Sequence, residues 1–278
     1  MAWGVVAWLL LAEGLYVRAV RVLAARGHTV PRAQLVCWHV GIGLQAIGLL
    51  SPIGAHADVL LSAHMAEHLL IADLAAPFLV AGVRTPVLQF LLPKAALVPL
   101  ARRRRLRRVL AVARRPQAAI PLYLLVLYGW HVGPLFEAAT TSPPLHALQH
   151  MTFVATGILV WWPLLEPAKR RMAGALWKIL HILGARLAGM MLGMAFIIAR
   201  TPFYTDIYGA GERPLGFSAL ADQQSAGAIM LVVDIVLMVS AMAFLFWRAA
   251  AEEDRPAAGY STVSVPSMPP SRWPGTEQ

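Results

Sequence analysis

Nine histidines are spread over the 278 residues, and five of them have a spacing that could do chemistry. His64 and His68 are four residues apart, and so are His146 and His150. Residues at i and i+4 share one face of a helix, so each pair can present two imidazoles to a single ion. His131 falls between the pairs in sequence. Imidazole suits copper, zinc, iron and nickel. Met65 follows His64 and Met151 follows His150. Thioether sulfur would favour Cu(I), although methionine also fills gaps in cores and adjacent residues point to different faces. Glu67, inside the first pair, is placed to orient an imidazole from behind. The single cysteine, Cys37, excludes an intramolecular disulfide and any paired-thiolate metal site.

These side chains need elements to position them, and the composition says which. The chain is 58% hydrophobic and 14% charged, against about 25% charged in a soluble globular protein. The surplus apolar surface calls for lipid. Runs of roughly 20 apolar residues, the length that crosses a hydrocarbon core of about 30 Å, fall at about 2–22, 33–50, 63–82, 116–136, 145–165, 179–200 and 223–247. The expected fold is therefore an all-α, polytopic membrane protein: a bundle of seven transmembrane helices over residues 1–250. The run from Thr85 to Leu100 is short and broken by Pro86, Pro93 and Pro99, so it is expected to lie in the interface rather than to span. The Pro- and Ser-rich tail, 251–278, reads as disordered and cytoplasmic.

The net charge of +10 could suggest nucleic acid, but its distribution argues against that. Basic residues gather after the first run (Arg18, Arg21, Arg26, Arg32), after the third (Arg84, Lys94, Arg102 to Arg105, Arg107, Arg108, Arg114, Arg115), after the fifth (Lys169, Arg170, Arg171, Lys178) and in the tail. The loops on the opposite side carry few or none. The positive-inside bias places the N-terminus outside and the C-terminus in the cytoplasm. The segment Arg102–Arg115 is expected to rest on anionic lipid, at about 1 kcal/mol per basic residue. No basic residue precedes the first run and Glu13 interrupts it, so it reads as a span rather than a cleaved signal.

This topology brings the five histidines together. A helix rises about 1.5 Å per residue, so His64, His68, His131, His146 and His150 all fall within roughly two turns of the outer face. His28, His39, His56 and His181 are expected to make ordinary hydrogen bonds, with His56 kept as a possible outer ligand. Asp73 and Asp234 fall near mid-bilayer, either as protonated packing partners or along an ion path. Asp222, Gln223 and Gln224 open the seventh run. Asp222 can cap that helix, or with Gln223 close the rim of the histidine site. His64-Met65-Ala66-Glu67-His68 also matches the H-x-x-E-H peptidase pattern. That reading needs a third ligand, such as Glu137 or Glu166, and Glu166 falls on the cytoplasmic side.

Three blocks of sequence resemble one family. The first is His64-Met65-Ala66-Glu67-His68-Leu69-Leu70 running on to Ala76-Pro77-Phe78-Leu79-Val80-Ala81-Gly82. The second is Trp130-His131, Leu135-Phe136-Glu137-Ala138-Ala139, Ser142-Pro143, Leu145-His146-Ala147-Leu148-Gln149-His150 and Trp161-Trp162-Pro163. The third is Asp222-Gln223-Gln224, Ala226-Gly227 and Ile229-Met230. In this order they resemble the CtaG family of membrane proteins associated with assembly of caa-type cytochrome c oxidase. Gln149, more often Glu, and Leu231, usually Trp, depart from the pattern. The resemblance implies a non-enzymatic, multi-pass protein of the bacterial inner (plasma) membrane that serves a haem-copper oxidase. Related domains occur fused to copper-resistance membrane domains. The expected function is binding of copper at the extracytoplasmic histidines, receipt of it from an extracytoplasmic copper donor, and delivery to the oxidase subunits. The alternatives are a copper transporter or resistance protein, a metal-free scaffold for oxidase subunits, and a haem protein with bis-His ligation.

Overall fold

The computed structural model describes residues 2–165, 176–209 and 216–253, and every regular element among them is helical. The principal helices are α1 (Ala2–Ala24), α2 (Arg32–Leu50), α3 (Leu61–Val83), α4 (Arg104–Ala113), α5 (Pro116–Trp130), α6 (Gly133–Thr141), α7 (Pro143–Leu165), α8 (Leu176–Ile198) and α9 (Ala219–Glu253). Short helical turns at Pro52–His56, Val87–Leu91, Lys94–Arg102 and Thr205–Tyr208 join them. The expected tail begins inside α9, which runs on to Glu253; the remainder of the tail lies outside the described residues, as does most of the basic loop 169–178.

Among the described residues, five helices are long and apolar enough to cross a membrane, namely α2 with its continuation to His56, α3, α7, α8 and α9. A sixth candidate is the pair α4 and α5, bent by 85°. The chain is thus a multi-pass helical membrane protein, with five or six candidate spans among the described residues where the sequence led us to expect seven. Part of the difference lies in the expected fourth span, 116–136. Helix α5 ends at Trp130, and α6 restarts at Gly133 with Pro134 in its first turn. Proline has no N–H and its ring clashes with the preceding turn, so the helix stops and begins again. Helix α1 has 23 residues but carries Glu13 and Arg18, and is not among the candidates.

Two apolar clusters follow from this arrangement. The larger joins α3, α5, α7, α8 and α9. The smaller sets α1 and α2 against the end of α3, where Tyr16 stacks on Trp38 at 4.4 Å. The middle of α3, Leu69–Leu74, is a π-helical segment. Helix α7 meets it at Gly157, where an added Cβ would collide with the Ala72 carbonyl oxygen. That close approach brings the histidine pairs of α3 and α7 face to face.

Candidate metal centre

Helices α3 and α7 deliver their histidines from their first turns. The start of α3 is fixed from another helix. The Asp222 carboxylate, on α9, accepts from Leu61 N (2.8 Å), Ser62 N (3.1 Å) and Ser62 Oγ (2.5 Å). The orphan donors of a helix start are thereby satisfied. Asp222 was expected either to cap its own helix or to rim the site; its hydrogen bonds go to the start of α3. Gln223 is held by backbone groups, accepting from Phe203 N (2.7 Å) and donating to the Phe196 carbonyl (3.2 Å).

Four imidazoles and a carboxylate converge behind this cap. The His64 ring centroid is 4.3 Å from that of His68 and 5.3 Å from that of His146; His150 is 4.2 Å from His146 and 5.0 Å from His68. Ligand atoms of His64, His68 and His146 all lie within 4.8 Å of one another, as do those of Glu67, His146 and His150. His146 belongs to both groups. Glu67 Oε1 is 3.9 Å from His150 Nε2, so the carboxylate faces the cluster directly and is a potential ligand itself.

His64, Glu67 and His68 are buried and His146 and His150 partly so, and most of their polar atoms are unused. His64 Nε2, both ring nitrogens of His68, His146 Nε2 and Glu67 Oε2 have no hydrogen-bond partner among the described residues, and neither amide atom of the fully buried Gln149 has one. Each buried polar group left unsatisfied costs about 1–3 kcal/mol. A cation bound by the imidazoles and carboxylate would remove that cost for most of them. Three nitrogens, or two nitrogens and a carboxylate oxygen, are donor sets that first-row metals accept.

His131 stands beside the cluster rather than in either group. Its Nδ1 is 2.6 Å from the Leu127 carbonyl oxygen, so Nδ1 carries the proton. Nε2 then presents a lone pair to Met65 Sδ, 3.5 Å away. Two soft donors face each other with no proton between them. The other four histidines use a ring nitrogen conventionally: His28 on the Arg26 carbonyl, His39 on the Leu35 carbonyl and Glu13, His56 on the Pro52 carbonyl and His181 on the Val160 carbonyl. Glu166 lies outside the described residues, and Glu137 belongs to neither ligand group.

Several contributors gave no signal in the sequence. Two tyrosines that follow α8 pack against the histidines. Tyr208 donates to the Ala57 carbonyl (2.7 Å) and lies 3.2 Å from His64 Nδ1. Tyr204 donates to the His131 carbonyl (2.8 Å) and stacks on Phe136 at 3.9 Å. Phe136 is fully buried, 5.2 Å from the His64 ring. Deeper in the bundle, Asp73 and Asp234 converge on Arg186, which had no role assigned from sequence.

The sequence is similar to that of known proteins. Over 271 residues the chain is 25% identical to an uncharacterized protein of Mycobacterium bovis and to one of Mycobacterium tuberculosis. The match covers 90% of this chain but only 40% of each relative, so the chain spans about two fifths of the length of the curated relatives it matches. No solved structure matches it. The family of cytochrome c oxidase caa3 assembly factors, Caa3_CtaG, matches residues 14–252, nearly the whole described chain including every histidine of the cluster, and the protein belongs to that family.

Proposed function

We propose that this oxidase assembly factor acts by carrying copper. The ion is held by His64, His68 and His146, with Glu67 and His150 offering an adjoining position through the shared His146. The observation that carries this reading is the set of buried imidazole nitrogens with no partner among the described residues. His131 and Met65 add a soft pair beside the cluster, which suits Cu(I). A site of imidazoles, carboxylate and thioether, without thiolates, releases its cargo more readily than a cysteine cluster would. That suits an ion received from an extracytoplasmic donor and passed to an oxidase subunit.

The topology proposed from the basic residues is seven crossings, made by α1, α2, α3, α5, α7, α8 and α9. The N-terminus and the histidines lie outside the bacterial inner membrane and the C-terminus lies inside. The bend between α4 and α5 supports an interfacial α4. Arg104, Arg107, Arg108 and Arg114 line one groove of it, while Val109 and Val112 are exposed. Such a helix lies along anionic headgroups with its apolar side in the membrane.

The test is elemental analysis of the detergent-purified protein after copper loading and desalting, beside a His64/His68/His146/His150→Ala variant. About one copper per chain, absent from the variant, is expected. No copper in either protein would remove the metal from the mechanism, and a scaffold for oxidase subunits would replace it.

A further inference from the structure

Arg186 is 0% exposed in the interior of α8. Its Nη1 donates to Asp73 Oδ1 (2.5 Å), on the π-helical segment of α3, and to Asp234 Oδ1 (2.9 Å), on α9. Its Cζ lies 5.3 Å from the centroid of the Tyr123 ring, on α5. Four helices thus meet around one guanidinium. The sequence makes the room: at Gly189, one turn after Arg186, an added Cβ would overlap the Asp234 carboxylate.

The charges do not balance if both acids are ionised. Arginine stays protonated in proteins. Two carboxylates would then leave the triad with one uncompensated negative charge, and an unpaired buried charge costs several kcal/mol. One proton on either carboxyl makes the triad neutral. The groups that face it, Tyr123 from α5, Arg186 from α8, Asp73 from α3 and Asp234 from α9, include no second cation.

A second observation points the same way. Both carboxylates share Nη1, so Arg186 Nε and Nη2 are left as buried donors with no partner among the described residues. They call for acceptors, and buried water is the usual one. Water is also what takes a proton to and from a carboxyl. The two acids are unequally enclosed: the Asp73 side chain is 15% exposed and that of Asp234 is 3%. Asp73 is carried on a π-helical turn, a feature frequent at functional sites.

We propose that Asp73, Arg186 and Asp234 form a proton-binding site within the membrane, in which the two carboxyls share one exchangeable proton. Loading adds a proton from hydronium to a carboxylate oxygen and leaves water; release reverses this, and nothing is oxidised or reduced. The site is distinct from the histidine cluster and does not depend on copper.

Infrared spectroscopy of the metal-free protein in liposomes tests it. The wild type is labelled with heavy carbon at the aspartate side-chain carboxyl, which separates aspartate from Glu67. A protonated-carboxyl band at neutral pH that moves with this label and with deuterium exchange is expected. Asp58 and Asp206 are exposed, and Asp222 accepts three hydrogen bonds, so the triad is the source of such a band among the described residues. The band should vanish in both Asp73→Asn and Asp234→Asn, because one carboxylate then balances Arg186. Absence of a label-sensitive band in the wild type, a reading that needs no variant to fold, would overturn the proposal. So would a band that survives in either variant. Because no copper is added, neither result bears on the metal reading.

Discussion

Tyr208 touches His64 without belonging to either ligand group, and it decides which nitrogen of that ring is free. Burial holds its phenol well above the ordinary pKa, so it keeps its proton. That proton goes to the Ala57 carbonyl, and the phenol oxygen is left to accept from His64 Nδ1–H. The lone pair of His64 is therefore fixed on Nε2, the atom turned to the cluster. A partner that sets tautomer and ring angle in this way typically contributes 10–100-fold to metal affinity. Tyr208→Phe is expected to weaken Cu(I) binding by about that factor while the protein stays folded, as read by competition with a chromophoric chelator. An unchanged affinity would mean that the His64 tautomer is set elsewhere. The histidine pairs were legible because both members of each lie on one helix, where spacing alone decides the face. Tyr208, and the meeting of His131 with Met65, were not. They arise from a connection and from the turn after α5 meeting α3, and no periodicity marks them.

At the scale of the helix, the histidines of α3 are only as well placed as its first turn. Asp222 satisfies three donors there from across the bundle, which couples the start of α9 to the position of His64. Removing a capping side chain costs about 0.5–2 kcal/mol. Asp222→Ala should lower the thermal midpoint in detergent and weaken copper binding together, while Asp222→Asn, which keeps an acceptor, should fall between it and the wild type. A lower midpoint with unaltered copper affinity would separate the cap from the site. The apolar runs made most helices legible. What they could not reveal was the partner of Asp222. Helix α9 starts three residues before it, so Asp222 sits in the first turn and reaches outward. The break after Trp130 was marked by Gly133-Pro134, but the surrounding apolar run concealed it. The π-helical turn at Leu69–Leu74 left no trace, because one extra residue in a turn barely disturbs an apolar pattern.

For the whole molecule, the proposed copper function divides into two routes: the ion stops at the histidines or crosses the membrane. Asp73 and Asp234, read from the sequence alone, could have continued a cation path inward. Arg186 changes that reading. It lies within an apolar run, apart from the basic loops, yet it puts a positive charge between the two acids. Asp73 lies five residues beyond His68 on α3, about 7.5 Å further along the axis. Both acids are already engaged by Arg186, so their paired oxygens are not free to ligate a passing ion. The bundle around it is also tight. Gly193 of α8 and Gly227 of α9 lie so close that a Cβ at either would collide with the other's carbonyl oxygen. This packing suits a protein that holds an ion near one face and surrenders it there. Sealed proteoliposomes enclosing a Cu(I)-sensitive dye should therefore show no influx above empty vesicles, even when copper outside saturates the protein. Influx above that background, lost in Asp73→Asn, would instead make the acids part of a conduction path and the protein a transporter.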